Sequence, residues 1–252
     1  MTTAVLITAR LKSTRLPRKV LKPIQGRPML AHLVDRMKRV QQAQQVILIT
    51  STVAQDDPLE AFAKDEGIAC FRGHPDDVLV RMRDAAEHFG VDTVVSCTAD
   101  NPFVDPESID NLLEFHTQNH HDFTNTEGLP WGAFAYALQT EAICRACDLK
   151  DEVDTEVWGG YFTQTGRFSC GTLSITDPTI RWPELRLTVD TPEDFALAEA
   201  VFSRLYQPGQ VFDLRQVVAL CRQYPELPAI NATVQQKAGA PIRLKKGGPR
   251  GA

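Results

Sequence analysis

Short apolar runs and helical repeats alternate along the first half of the chain. Residues 5–8 and 46–50 are apolar runs that end in threonine, which predicts two buried strands. Between them, residues 28–40 begin with a proline and carry apolar positions at helical spacing, which predicts a helix. The pattern continues with predicted helices over 56–67, 74–88 and 106–117 and predicted strands over 68–71 and 91–97. This alternation predicts parallel strands joined by crossover helices, a doubly wound α/β sheet.

The pattern becomes less regular after residue 122. Strands are predicted near 123 and over 134–138, 168–175 and 185–189, and helices over 140–148, 153–163, 192–206 and 214–222. We interpret residues 1–236 as a single domain whose second half adds antiparallel strands. Residues 237–252 are rich in glycine, proline and basic residues without periodicity, which predicts a mobile tail.

The composition limits the classes of protein to which the chain can belong. Its 252 residues can form one large α/β domain, and no apolar run approaches the roughly 20 residues that span a bilayer. Because the first apolar run, residues 4–7, is too short for a signal peptide, we expect a cytoplasmic protein without membrane binding. A net charge of −5 and the absence of aromatic residues before Phe62 argue against nucleic-acid binding.

Positive charge is concentrated in the loop that follows the first predicted strand. Seven lysines and arginines, and no acidic residue, precede Asp35. The loop carries Arg10, Arg15 and Lys19 with Ser13 among them, and the loop after the first strand of a doubly wound sheet commonly binds an anion. Arginine forks and a lysine point charge suit the oxygens of a polyphosphate, although the loop has no glycine and is not a Walker A or G-x-G-x-x-G motif. The alternative is a solvated basic loop without a ligand.

Two aspartates follow predicted strands at distant points in the chain. Asp100 comes after the strand over 91–97, and Asp190 comes after the strand over 185–189. One or two carboxylates together with phosphate oxygens commonly hold Mg²⁺, so two aspartates at one edge of the sheet predict a metal site. Taken singly, Asp100 could instead begin a turn, and Asp190 could cap the helix that follows it.

Two further candidate features point to structure rather than chemistry. Cys144 and Cys147 form a single C-x-x-C without a second pair or nearby histidines, so we expect no zinc site. His74 is the histidine nearest to the predicted rim, and we interpret it as a loop residue rather than as a general base.

The motifs together resemble the cytidylyltransferases that make CMP-activated sugar acids. The resemblance rests on A-R-x-x-S-x-R-L-P-x-K from residue 9, G-x-P-M-L from residue 26, A-D-N-P from residue 99 and T-V-D-T-P-E-D from residue 188. It covers roughly residues 3–206, extends to the CMP-Kdo and acylneuraminate synthetases, and is greatest for the SpsF-like branch of spore-coat polysaccharide synthesis. It implies a Rossmann-like, GT-A-like nucleotidyltransferase fold with a mixed, mainly parallel sheet flanked by helices.

The resemblance also implies roles for individual residues. CTP would bind against the basic loop, with its cytosine near residues 8–10 and 72–77. The implied nucleotide-binding residues are Thr8, Ala9, Arg10, Ser13, Arg15, Lys19, Arg72, Gly73, Asp77 and Thr98. The implied catalytic residues are Arg10, Arg15, Lys19 and Asp100, and Asp100 and Asp190 would bind Mg²⁺. The resemblance further implies a homodimer, with a nucleotide half of about residues 1–121 and an acceptor and dimer half of about 122–236.

The acceptor half departs from the family pattern, which leaves the acceptor open. Residues 130–136 lack the usual acidic residue, and residues 150–156 differ from the usual Glu-His-Val-Thr pattern. In the nucleotide half, alanine stands at position 99 in place of the usual glycine. We expect an anionic acceptor such as a sugar acid to attack the α-phosphorus of CTP in line and to release pyrophosphate. Two alternatives stay open: a uridylyl- or guanylyltransferase acting on a sugar phosphate, and a non-catalytic nucleotide-binding subunit.

Overall fold

Strands and helices alternate through the first half of the computed structural model, which describes residues 1–236 and 241–245. The strands of this half are β1 (Thr3–Thr8), β2 (Pro23–Ile24), β3 (Arg27–Pro28), β4 (Gln45–Ser51), β5 (Ala69–Gly73) and β6 (Thr93–Thr98). Its helices are α1 (Met29–Met37), α2 (Asp57–Asp65), α3 (Val78–Phe89) and α4 (Pro106–Gln118). Every helix and strand predicted for this half is present, with boundaries shifted by a few residues.

The second half adds three strands and five helices within the described residues. The strands are β7 (Phe123–Glu127), β8 (Tyr136–Gln139) and β9 (Cys170–Ser174). The helices are α5 (Thr140–Leu149), α6 (Gly160–Thr163), α7 (Pro192–Leu205), α8 (Leu214–Gln223) and α9 (Glu226–Ala229). Helix α7 begins with a capping box in which the Thr191 and Asp194 side chains accept from each other's backbone N–H.

A mixed, mainly parallel sheet of seven strands organises the described residues, with the order β5-β4-β1-β6-β8-β7-β9. Strands β5, β4, β1 and β6 are parallel, β8 runs antiparallel to both of its neighbours, and β9 is parallel to β7. The predicted fold class is therefore confirmed. The four parallel strands end side by side at Thr8, Ser51, Gly73 and Thr98, so the loops that follow them share one edge of the sheet, the carboxyl rim.

Two apolar cores cover the two faces of the sheet. Along β1, Val5 and Ile7 point into one core and Ala4 and Leu6 into the other, because successive side chains of a strand alternate between faces. Helices α1, α2, α4, α7 and α8 contribute to the first core, and α3, α5 and α6 contribute to the second. The run at residues 5–8 lacks polar alternation because both of its faces are buried.

Two local predictions were wrong, and one hairpin was missed. The helix predicted over 153–163 is limited to α6, because the Glu152 and Asp154 carboxylates accept hydrogen bonds from nearby backbone N–H groups and compete with helix formation. The strand predicted over 185–189 forms a single bridge between Trp131 and Arg186. The β2–β3 hairpin was not predicted, because its turn depends on a positive φ at Gln25 as well as at the following glycine.

The predicted tail, residues 237–252, falls largely outside the described residues. Its described part, residues 241–245, lies against the end of α5: Asp151 N–H donates to Arg243 O over 2.9 Å, and Lys245 N–H donates to Leu149 O over 3.0 Å. Ile242 packs against the second core. Within residues 1–236 and 241–245, no helix combines the length and the apolar character that crossing a membrane requires.

His116 is a fully buried histidine between α4 and the sheet. One of its ring nitrogens contacts the Thr124 hydroxyl at 2.8 Å and the other contacts the Gln139 amide at 3.0 Å. Burial, with a smaller contribution from His121, lowers the pKa of His116 from 6.5 to about 4. Its role is structural, because both ring nitrogens already have protein partners.

The buried imidazole of His116 predicts a loss of stability in mild acid. Between pH 6.5 and 4 the unfolded chain binds a proton that the folded chain does not, so the free energy of unfolding falls as the pH is lowered. The contribution from His116 is about 3 kcal/mol across this range, and it is fully lost below pH 4. Urea unfolding at several pH values should show this slope, and His116→Gln should flatten it. An identical slope in the variant would contradict the assignment.

Candidate active site

The basic loop after β1 is held at the carboxyl rim by a buried carboxylate, Asp56. The backbone N–H of Leu11 donates to one Asp56 oxygen over 2.8 Å, and the Ser51 hydroxyl at the end of β4 donates to the other. Sequence reasoning assigned Asp56 to the start of a helix. Its contact with a residue 45 positions away in the chain has no local signal, so its role in holding the loop was missed.

The side chain of Lys19 lies between the two aspartates that the sequence predicts as metal ligands. Its Nζ is 2.8 Å from Asp100 Oδ2 and 2.8 Å from Asp190 Oδ1. The hydroxyl of Thr98, at the end of β6, donates to the other Asp100 oxygen over 2.6 Å. The structure therefore brings together Lys19 and two aspartates that follow it in the chain, Asp100 by 81 positions and Asp190 by 171 positions.

Asp190 is positioned by Arg186, which sequence reasoning did not single out. The Arg186 guanidinium donates to Asp190 over 3.0 Å and to Asp194 over 2.8 and 3.0 Å. Asp194 is anchored in turn by the Asn231 amide at 2.8 Å and by the backbone N–H of Asp190 at 2.9 Å. The sequence feature that could have identified Arg186 is its position as a single charged residue within the apolar segment before Asp190. Asp194 itself was predicted as a helix-terminal residue, and it is one.

The segment before Asp190 is also joined directly to the loop that carries Asp100. The backbone N–H of Val189 donates to the carbonyl oxygen of Asp100 over 2.9 Å. Gly132 packs so closely that a Cβ would come within 2.4 Å of the Thr188 backbone, which excludes any larger residue there. These contacts hold the two aspartates at one place on the rim.

Opposite charges at this centre stabilise each other's ionised forms. Burial alone would lower the pKa of Lys19, but Asp100 and Asp190 outweigh it and the pKa is raised. Burial would likewise raise the pKa of Asp190, but Lys19, Arg15 and Arg186 outweigh it and the pKa is lowered. Arg15 Nη2 lies 3.1 Å from Asp190 Oδ1. Both shifts favour the charged forms of Lys19 and Asp190 at neutral pH.

Arg10 crosses from the basic loop to the segment after β5. Its Nη1 donates to the carbonyl of Pro75 and to the Asp76 carboxylate over 3.0 Å, and its Nε lies 3.6 Å from Asp56. Arg81, a fully buried residue of α3, also holds this segment, because its guanidinium donates to the carbonyl oxygens of residues 74 and 75 over 2.9 Å. Arg10 and this segment thus form one wall of the rim.

Arg72 and Asp77, both predicted to bind the nucleotide, are engaged with protein partners. Arg72 donates to the Ser51 carbonyl and pairs with acidic side chains of α2. Asp77 is buried, caps α3 and forms an ion pair with Lys150. Both side chains have protein partners in this arrangement, and these contacts do not favour a role in nucleotide binding, which stays a prediction.

The remaining predicted residues lie at the strand ends or in the loop. Thr8 ends β1 and Thr98 ends β6, and Ala9 continues the sheet pairing with its N–H on the Ile49 carbonyl at 3.1 Å. The Ser13 hydroxyl accepts from a loop N–H over 3.4 Å. At Gly73 a Cβ would lie 2.8 Å from the Phe71 ring, which explains the glycine by packing.

Several buried polar atoms at the rim have no hydrogen-bond partner within residues 1–236 and 241–245. They are Thr8 Oγ1, Thr50 Oγ1, Arg10 Nε and Asn101 Oδ1. An unpaired buried polar atom costs about 1–3 kcal/mol, so each of these atoms would gain from a polar ligand that supplied a partner. These atoms adjoin the basic loop and the loop that carries Asp100.

The donor set of the centre suits a hard divalent cation. Asp100 and Asp190 each present a carboxylate oxygen to a single cationic group, Lys19 Nζ, at 2.8 Å. Mg²⁺ is commonly held by one or two carboxylates together with substrate phosphate oxygens. Across the described ranges no cluster of three or more histidine, cysteine or acidic side chains could hold a metal ion by itself. A cation at Asp100 and Asp190 would therefore take its remaining oxygen ligands from water or from a bound phosphate.

The C-x-x-C pair lies apart from this chemistry. Cys144 and Cys147 are on α5, and all six cysteines are free within the described part of the chain. Burial raises the pKa of Cys147 to about 12, so its thiol is protonated at neutral pH and is a poor metal ligand.

Comparisons with known proteins bear on the family and the fold of this chain. Residues 4–165 match the family model described as "Cytidylyltransferase". The spore coat polysaccharide biosynthesis protein SpsF of Bacillus subtilis is 29% identical over 228 residues, covering 88% of this chain and 94% of SpsF.

Solved structures show the same fold. A cytidylyltransferase from Leptospira borgpetersenii superposes with a TM-score of 0.84 at 23% identity, covering 94% of this chain and all of that one. CMP:2-keto-3-deoxy-manno-octonic acid synthetase in complex with CTP superposes with a TM-score of 0.63 at 16% identity, covering 82% of this chain and all of that one.

Proposed function

We propose that this chain, which belongs to the cytidylyltransferase family of nucleotidyltransferases, transfers CMP from CTP to an anionic sugar acceptor and releases pyrophosphate. The observation that carries the proposal is the meeting of Asp100 and Asp190 on Lys19, at the end of the basic loop. A site with cations for a triphosphate and paired carboxylates for a metal has the parts that nucleotidyl transfer needs.

The basic loop binds the triphosphate in the proposed reaction. Arg15 and Lys19 lie beside the paired carboxylates, and Arg10 lies at the wall formed by residues 74–76. Their guanidinium and ammonium groups offset the charge of the β- and γ-phosphates and hold the α-phosphorus in place. An acceptor oxygen attacks that phosphorus in line, the bond to the bridging oxygen of the β-phosphate breaks, and pyrophosphate leaves. Positioning and electrostatics supply most of the rate acceleration in such transfers.

Asp100 and Asp190 are the residues that hold the divalent metal in this proposal, with Mg²⁺ as the expected ion. When bound, a divalent cation supplies charge neutralisation at the phosphate oxygens. Arg186 orients Asp190 through the contacts described above, and Thr98 orients Asp100 through its hydroxyl. Homodimer formation stays a prediction from the resemblance, and a cytoplasmic location stays a prediction from the pattern of apolar residues along the sequence.

Pyrophosphate release with different nucleotides tests the proposal. CTP, UTP, GTP and ATP would each be supplied with Mg²⁺ and a panel of sugar acids and sugar phosphates. We expect turnover with CTP and a sugar acid. Preference for UTP or GTP with a sugar phosphate would support the alternative transferase, and nucleotide binding without pyrophosphate release under any condition would support a non-catalytic subunit.

Loss of Arg186 is expected to weaken the metal site without removing a ligand. Arg186→Met removes one of the cationic contacts that orient the Asp190 carboxylate, and changes of this kind next to a metal ligand cost about 10- to 100-fold in metal affinity or activity. The Mg²⁺ concentration for half-maximal activity should rise by about this factor, and Arg186→Lys should recover part of it. Arg83→Met, which removes a guanidinium paired with Asp84 on α3, is the matched control. An unchanged Mg²⁺ dependence would show that Arg186 does not position Asp190.

A further inference from the structure

The ammonium group of Lys19 contacts the carboxylates of Asp100 and Asp190 at the same time. Its Nζ makes equal contacts of 2.8 Å with Asp100 and Asp190, and its side chain is 11% exposed. A divalent cation that used the same two oxygens would lie within a few ångströms of this ammonium group, because metal–oxygen distances are about 2.0–2.6 Å. The ammonium group and the metal ion would repel each other strongly at that separation, so they cannot bind these two oxygens together.

The charges around the centre balance without a metal. The three cationic side chains are Lys19, Arg15 and Arg186, and the three carboxylates that they contact are Asp100, Asp190 and Asp194. A divalent cation added alone would leave this centre with two uncompensated positive charges. A triphosphate that binds together with the divalent cation supplies negative charge and acceptor oxygens that offset the charge of the cation.

We propose that Lys19 occupies the metal position in the nucleotide-free protein, and that a divalent cation binds Asp100 and Asp190 only after a triphosphate has drawn the Lys19 ammonium away. The proposal rests on the proposed function and adds an order of binding to it. Lysine suits this exchange because its compact charge sits on a flexible four-carbon stem. An arginine paired in two directions, such as Arg186, has fewer alternative positions.

The exchange makes metal and nucleotide binding cooperative. By thermodynamic linkage, the metal raises the affinity for the triphosphate by the same factor by which the triphosphate raises the affinity for the metal. The free protein is thereby protected from binding a divalent cation that has no nucleotide to act on. Removal of the Lys19 charge should weaken this coupling, because Asp100 loses its contact with Lys19 while Asp190 keeps its contacts with Arg15 and Arg186.

Mn²⁺ binding, followed by the loss of the free-ion electron paramagnetic resonance signal, tests the proposal without catalysis. Nucleotide-free wild type, Lys19→Met and Lys19→Gln would be titrated with Mn²⁺, with Lys22→Met as the control. Lys22 lies three residues further along, over the Phe195 ring, so this control removes the same charge nearby. We expect at least about a tenfold lower Kd for Mn²⁺ in both Lys19 variants than in wild type and Lys22→Met. Adding Asp190→Asn to Lys19→Met should abolish this gain.

The outcomes separate the proposal from the function on which it rests. If nucleotide-free wild type binds Mn²⁺ as tightly as the Lys19 variants, and Asp190→Asn removes that binding, the site is confirmed and the exchange is overturned. A second titration with CTP present tests the metal site itself. If Asp100→Asn and Asp190→Asn both leave protein-bound Mn²⁺ unchanged there, the metal assignment fails and the exchange fails with it.

Discussion

Replacing Asp100 with asparagine is expected to lower kcat/KM for CTP by about three orders of magnitude while leaving the fold intact. Loss of a metal ligand removes several kcal/mol of charge stabilisation in the transition state, and each 1.36 kcal/mol corresponds to a factor of ten in rate. Asparagine keeps an oxygen to accept from the Thr98 hydroxyl, and Lys19 keeps its contact with Asp190, so local structure is retained. Pyrophosphate release under saturating Mg²⁺ measures the effect.

A matched control separates loss of the ligand from loss of charge. Asp148→Asn changes an exposed aspartate on α5 by the same chemistry and should leave turnover unchanged. Thermal unfolding of both variants should stay close to that of wild type. Full activity in Asp100→Asn would remove Asp100 from the metal site.

Replacing Lys19 with alanine is expected to weaken CTP binding by about 10- to 100-fold and CMP binding far less. A charge-assisted contact with phosphate contributes about 1.5–3 kcal/mol, and only the triphosphate reaches the ammonium in the proposed mode. Two carboxylates, Asp100 and Asp190, also lose their shared cation and repel the triphosphate. Titration calorimetry with CTP and with CMP, both without acceptor, gives the two affinities.

Lys22→Ala is the control for this comparison, because it removes a neighbouring lysine that packs on an aromatic ring. Equal losses of CTP and CMP affinity in Lys19→Ala would contradict a contact with the β- or γ-phosphate. The direction of each effect is informative as well. Removing the Lys19 charge should weaken triphosphate binding and strengthen Mn²⁺ binding to the free protein, and a general disturbance of the site would weaken both.

Local pattern predicted the parts of this molecule that depend on neighbouring residues. Burial of both faces made β1 and β4 uninterrupted apolar runs, and helical spacing marked α1 and α4. The helix predicted over 153–163 was wrong because polar side chains bind their own backbone there, a competition that apolar spacing does not report.

The sequence by itself determined the fold class, the basic loop and the two candidate aspartates, because the succession of strands and helices, the charge runs and the motif spacing depend on residues close together in the chain. Tertiary structure decided which side chains meet. It placed Lys19 between Asp100 and Asp190, turned Asp77 and Arg72 toward protein partners, and assigned supporting roles to Asp56 and Arg186. The physical reason is that ion pairs and buried hydrogen bonds depend on distances of a few ångströms between residues far apart in the chain, and no local periodicity encodes those distances.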